Sequence, residues 1–169
     1  LGEVSNPDVD LFITYGNGEF SDMEAEHILD VVTSPVCSPA MVNRLGGMPE
    51  PQDVLRLGLL HLSDHEDWGQ WFSSVGLDPG LAATGVVFSD MHLAYSAALA
   101  GQGIAMGDVV LSEDAMSSGQ LVRPFEQEVR SPRAYFMAVP HARVDKPAVE
   151  AFRSLLRSER AQSFSLPKM

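Results

Sequence analysis

Gly85 to Gly107 reads GVVFSDMHLAYSAALAGQGIAMG, the stretch on which the fold class turns. An apolar run (Val86, Val87, Phe88) turns at Ser89-Asp90 into small residues from Met91 to Ala100. GQG then leads to a second apolar run, Ile104-Ala105-Met106. Strand, helix and strand in so short a span fit a tight βαβ unit. Ser89 and Asp90 are favoured N-cap types, because their side-chain oxygens accept the free N–H groups of a first helical turn. Gly101 and Gly103 suit a left-handed helix stop. A helix start just past the carboxyl end of a strand is where open α/β sheets receive small ligands. Any α/β domain contains such units as scaffold, so the stretch alone leaves function open.

Moving back to the start, DVDLFITYG (Asp8 to Gly16) is a β run, apolar on both faces from Leu11 to Ile13 as in a strand covered on both sides. Glu19 to His27 is acidic and reads as a loop. Ile28 to Val36 reads as a strand, with Pro35 marking its end or a sheet edge. Ser38-Pro39 opens a short helix closed by Gly46-Gly47. Pro49 to Arg56 gives a helical turn or two, and Leu57 to Leu62 a strand. Asp64 to Val75 carries Trp68, Trp71 and Phe72 on one helical face, a core pattern, with Gly76 as its stop.

Beyond the opening unit, Asp108 is expected to cap a helix running to about Ser117, closed by Gly119. Leu121 to Phe125 and Arg133 to Pro140 read as strands. Asp145-Lys146-Pro147 starts a last helix with Val149, Phe152, Leu155 and Leu156 on one stripe, and the tail after Gln162 has no pattern. Strands and helices alternate throughout, which defines an α/β class.

Composition limits what such a chain does. Its 169 residues carry 23 acids against 11 bases, a formal charge of -12 that repels a phosphate backbone. Cys37 is the one cysteine, which excludes an internal disulfide and fits a reducing, cytoplasmic compartment. No apolar run is long enough to span a membrane, and Leu1 opens no signal peptide. A first residue other than Met fits a fragment or a processed chain.

Catalytic chemistry finds little support. His61 and His65 stand four apart, but HLSDH lacks the glutamate of a zinc-protease helix, and the first histidine falls on a strand. No metal site is expected. His92 reads as an exposed helical histidine. No serine lies in a G-x-S-x-G elbow, and Cys37 has no histidine partner in sequence, so a buried structural thiol is the better reading. GQGIAMG follows a helix and precedes a strand, the reverse of a dinucleotide turn, and lacks a P-loop lysine. No cofactor is expected, and a binding module is favoured over an enzyme.

Taken together, DVDLFITYG, PVCSPAM, PEPQDVLRLGLLHL, WGQWFSSVG, FSDMHLAYSAALAGQGIAMGD, SGQLVRPF, AYFMAVP and VEAFRSLLRSE run in an order and spacing that covers nearly the whole chain. In this the chain resembles the effector-binding (substrate-binding) domain of LysR-type transcriptional regulators, in the branch of the glycine-cleavage activator and the β-lactamase regulator. The resemblance implies a periplasmic-binding-protein-like (type 2) α/β fold of two lobes with an inter-lobe cleft. The first lobe would be 1–33 and 134–169, the second 34–133. It implies a small-molecule effector, a homo-oligomer (dimer or tetramer), and DNA contact only through an N-terminal winged helix-turn-helix. That domain and the strand, helix and strand opening the first lobe have no counterpart in these residues.

Site residues carried over by the resemblance are Tyr15 and Gly16, then Ser89, Asp90 and Met91, then Met106, Gly107 and Asp108, with Tyr135 as a further candidate. Ser89 would donate a hydrogen bond, and N–H groups at both helix starts would receive a carboxylate. If the two aspartates cap, an anionic effector is possible; if either faces the ligand, an amine or amino acid is favoured. A transporter's solute-binding protein and an enzyme on a similar scaffold are the competing readings.

Overall fold

The structure, a computed structural model, describes residues 8–46, 49–62 and 64–163. Its strands and helices run β1 (Phe12–Gly16), β2 (Met23–Val36), α1 (Pro39–Arg44), α2 (Val54–Leu57), β3 (Leu59–Leu62), α3 (Glu66–Ser74), β4 (Val86–Phe88), α4 (Met91–Leu99), β5 (Ile104–Asp108), α5 (Glu113–Ser117), β6 (Val129–Pro140) and α6 (Pro147–Ser163). Short 3-10 turns at Pro51–Asp53, Pro79–Ala83 and His141–Arg143 complete the order. The chain forms two compact units, Leu1–Asp30 with Arg133–Met169, and Val31–Pro132.

In the first unit β6 lies between β1 and β2, with β1 antiparallel to it from Phe12 opposite Ala138 to Gly16 opposite Ala134. Met137, Val139 and Val149 form its buried core, packed by Leu11, Ile28, Phe152 and Leu156. Three expectations fail here. Among the described residues β1 stands at the sheet edge, and Ile13, expected under cover on both faces, is 50% exposed. Leu155, placed on the core stripe of α6, is 53% exposed, because the helix turns that position to solvent. The acidic stretch expected as a loop, Glu19 to His27, is loop only as far as Asp22; from Met23 it is the start of β2. Its charges are paired from α6: Arg153 bonds Glu24, and Arg153 and Arg157 approach Glu26 at 3.5 and 3.4 Å. Charge that looks solvated in sequence is here a cross-element ion-pair ladder on a strand.

The second unit orders its strands β2-β5-β3-β4, with β5 antiparallel to β2 and parallel to β3, and β4 parallel to β3. The two strands of the opening stretch are therefore not neighbours. β3 lies between them, and α4 packs on β3 and β5 through buried Ala94, Ala97 and Ala98. Small side chains at these positions let the helix approach the sheet. Consecutive residues Leu59 and Leu60, Ile104 and Ala105, and Val36 and Cys37 divide between two core clusters. Since strand side chains alternate, one cluster lies on each sheet face. The larger holds Trp68, Trp71 and Phe72 of α3.

Several local readings hold. Gly101 has φ 71 and stops α4, but Gly103 serves close packing instead: an added Cβ would lie 2.6 Å from the Gly58 carbonyl. Gly46 has φ 81 past the end of α1, and Gly47 lies outside the described residues, as does most of the tail. Pro35 sits one residue before the end of β2. Leu121 to Phe125 forms no strand. Val122 makes a single bridge to Cys37, and Pro124 carries no N–H to extend it.

Cys37 itself is fully buried, and that burial pushes its thiol up to about 11. At pH 8 only about one thiol in a thousand would be ionised, since the thiolate is the reactive form. Native protein is expected to resist iodoacetamide at pH 8 and to label stoichiometrically once unfolded in guanidinium. Rapid native labelling, read by mass spectrometry, would contradict a structural thiol.

Candidate functional site

The parallel strands of the second unit end at Leu62, Phe88 and Asp108, and each end is followed by a capped turn. After β3, Asp64 Oδ1 accepts the Glu66 N–H at 2.9 Å. After β4, Asp90 Oδ1 accepts the His92 N–H at 2.7 Å. After β5, Asp108 Oδ1 accepts from Val110 at 2.8 Å and Leu111 at 3.2 Å. Asp90 stands where the first N–H groups of α4 converge, and a negative charge is favoured there by the helix dipole.

The turns after β4 and β5 differ in what they leave for a ligand. Asp90 caps the nine residues of α4 and is exposed, with exposed Ser89 before it and half-buried Met91 after it. Asp108 is 7% exposed. Its carbonyl accepts Ser112 twice, from the backbone N–H at 2.9 Å and from the hydroxyl at 2.5 Å. The Val109 N–H goes to the Val32 carbonyl and the Glu113 N–H to Val110. Every N–H from Val109 to Glu113 is thus used within the fold, and α5 begins only at Glu113 rather than directly after Asp108. The expected anion-receiving helix start at Asp108 is corrected: its own side chain and backbone close it. Gly107 is needed for packing, since an added Cβ would lie 2.5 Å from Val36 Cγ2 and 2.9 Å from Ser112 Oγ. Met106 beside it is half-buried against the larger core cluster.

In the first unit Tyr15 and Tyr135 lie directly opposite each other on β1 and β6, ring centroids 5.4 Å apart and planes tilted by 48°. Both rings are half-buried. Gly16 is buried, and Phe20 fills the space beside it, 3.2 Å from where a Cβ would stand. The pairing brings the two tyrosines together, a contact invisible in a sequence that separates them by more than a hundred residues.

Two polar features were not singled out by sequence reasoning. Tyr95 on α4 buries its hydroxyl beside Ser112 without hydrogen-bond geometry, and burial raises its pKa. Arg123 donates from Nε to Ser34 Oγ at 3.2 Å and pairs with Glu128 at 2.5 Å, holding the segment that leads into β6. Among the described residues no three His, Cys, Asp or Glu side chains group to hold a metal. No helix among them is long and apolar enough to cross a membrane.

The sequence pattern of the LysR substrate-binding domain matches residues 1–161, and the chain belongs to that family. It is a LysR-type effector-binding domain, with the family's periplasmic-binding-protein-like α/β fold. It is similar to the glycine cleavage system transcriptional activator of Escherichia coli K12, 28% identical over 154 residues, covering 91% of this chain and 50% of that protein. It is likewise 28% identical over 145 residues to the HTH-type transcriptional activator AmpR of Citrobacter freundii, covering 85% of this chain and 48% of that protein. Among solved structures, the AmpR effector-binding domain from Citrobacter freundii superposes with a TM-score of 0.83 at 26% identity, covering 95% of this chain and 80% of that one. The AmpR effector domain of Pseudomonas aeruginosa gives 0.81 at 25% identity, covering 92% and 74%. The chain spans about half the length of the curated relatives it matches.

Proposed function

We propose that this domain senses a small carboxylate, an amino-acid-like molecule above all, at the start of α4. The observation that carries the reading is Asp90. One of its oxygens holds the His92 N–H, the side chain is exposed, and Ser89 stands next to it at the positive end of a helix. A ligand ammonium would meet the Asp90 carboxylate, while a ligand carboxylate would meet the Ser89 hydroxyl and the field of the helix start. Met91 would flank the ligand. Asp108, with Met106 and Gly107, would shape the neighbouring strand end rather than bind an anion. On the first unit Tyr15, Gly16 and Tyr135 are the proposed contacts, resting on the family resemblance and on the tyrosine pair.

Effector binding would bias a homo-oligomeric cytoplasmic regulator, dimer or tetramer, that contacts DNA outside these residues. A ligand shifts such an equilibrium only by its differential affinity for the two states, about 1.4 kcal/mol for each tenfold preference.

The twenty amino acids, acetate and succinate serve as calorimetric probes. Ser89→Ala is expected to weaken the bound probe about tenfold, the loss of one hydrogen bond to a charged group. Asp90→Asn keeps a capping side chain but removes the charge. It is expected to weaken an amino acid at least about tenfold, an ion pair's worth when partly desolvated, and to spare a simple carboxylate. Unchanged affinity in both variants would remove the α4 start as the site.

A further inference from the structure

His61 and His65 found no place in the reading above, yet they are joined more tightly than their spacing suggests. His61 lies on β3 and is 1% exposed; His65 is the exposed N-cap residue of α3. His61 Nε2 is 2.7 Å from the Thr84 carbonyl, and His61 Nδ1 is 3.2 Å from His65 Nδ1, the rings perpendicular at 88°. A carbonyl only accepts, so His61 Nε2 carries the hydrogen. In the neutral ring Nδ1 is then a lone pair, so His65 Nδ1 carries the hydrogen that meets it. The tautomers of both rings follow from one carbonyl. The chain of bonds runs from the first turn of α3, through the end of β3, to the residue that leads into β4.

We propose that the His61–His65 pair is a proton-operated latch that ties the α3 start and the β4 lead-in to the end of β3, and opens when His61 takes a second ring proton. A proton on the outer Nε2 of His65 leaves the Nδ1–H bond to His61 in place. A proton on His61 Nδ1 sets two N–H groups head to head across 3.2 Å, and one ring must turn away. Titratable groups on the packed elements are Asp64 and His65 before α3, Glu66 and Asp67 in its first turn, Asp78 at the start of the 3-10 turn leading to Thr84, His92 and Tyr95 on α4, and Asp108 at the end of β5; β4 carries none. Burial, the largest influence, disfavours the second proton; the Thr84 carbonyl and Asp64 favour it and the His65 charge opposes it, so His61 titrates below its ordinary value. Among the described residues no third His, Cys, Asp or Glu side chain groups with the pair.

The sign follows. An unfolded His61 binds a proton as pH falls through its ordinary value while the folded one does not, so stability declines from there downward. Opening comes lower still, as the folded His61 is protonated.

The chain's two tryptophans, Trp68 and Trp71, both lie on α3, and Trp68 donates to the Leu60 carbonyl next to His61. Tryptophan emission is therefore expected to shift to longer wavelength at a pH below the ordinary histidine value of 6.5, while far-ultraviolet circular dichroism is retained. His61→Gln presents a donor for Thr84 and an acceptor for His65 but no titrating ring, and it should abolish that shift. Should His61→Gln not fold, imidazole nitrogen NMR of the wild-type domain decides the matter. It is expected to show His61 as the Nε2–H tautomer at pH 7.5, with its protonation accompanied by loss of the Nδ1 hydrogen bond. An Nδ1–H tautomer at His61, or an emission shift of unaltered size and midpoint in His61→Gln, would overturn the latch.

Discussion

Trp71→Ala is expected to cost about 4 kcal/mol, the range for removing a fully buried large aromatic from a core. On a net stability of roughly 5–15 kcal/mol that is about a quarter or more of the whole. Trp71 is fully buried, with ring centroids 5.6 Å from Trp68, 5.6 Å from Phe72 and 5.1 Å from Phe125. Its indole N–H also donates to the Gln127 carbonyl at 3.2 Å, tying α3 to the segment that precedes β6. Truncation opens a cavity among three aromatic neighbours and leaves that carbonyl with only the longer bond from Ser34 Oγ, at 3.4 Å. Trp71→Phe refills most of the volume and should cost about half as much or less, because only the hydrogen bond and part of the contact are lost. Guanidinium midpoints followed by circular dichroism separate the two variants. A cost for Trp71→Ala below about 1.5 kcal/mol would mean that the site collapses around the missing ring or that Trp71 is not packed as described.

The aromatic face of α3 shows where the sequence speaks clearly. Three large apolar residues at helical spacing can be satisfied only by burial, so local pattern and tertiary outcome agree. The same holds for α4, whose start is written in Ser89-Asp90 and whose end is written in Gly101. The failures share a different cause: each turns on bonds that the pattern of residue types does not display. Glu24 and Glu26 read as loop because their arginines stand more than a hundred residues away on α6. Asp108 looked like a second Asp90, since both precede a helix-forming run. Only the folded turn shows that Asp108 and Ser112 consume its N–H groups. The histidine pair was visible as a spacing, but its chemistry is set by the Thr84 carbonyl, which the sequence places twenty-three residues off. The candidate site is therefore legible at Ser89-Asp90, where a local cap carries it, and illegible wherever the bonds of the folded turn decide which groups remain for a ligand.

Gly85→Ala is expected to have the largest effect of any single methyl group added to this domain, either preventing stable folding or costing more than about 4 kcal/mol. Gly85 has φ 116, a backbone region open to glycine and strained for any L side chain. Strain of that kind alone costs only about 1–3 kcal/mol. The added Cβ, however, would stand 2.3 Å from the Leu59 carbonyl oxygen and 2.9 Å from both Leu59 Cβ and His61 Nε2. None of these is the free end of a flexible side chain. Relief requires β4 to draw away from β3, which undoes the pairing of Val86 with Leu60 and the bond from His61 to Thr84. Because β4 delivers Ser89 and Asp90 to the start of α4, the candidate effector site would be displaced with it. Gly46→Ala is the matched control: its φ is 81, but an added Cβ meets nothing within 4 Å, so it bears the conformational strain alone. Thermal denaturation should therefore show Gly46→Ala with a modest loss and Gly85→Ala with no cooperative transition, or one far lower. Equal losses in the two variants would show that the clash is relieved by a small backbone shift, and that β4 is not held against β3 as tightly as its register implies.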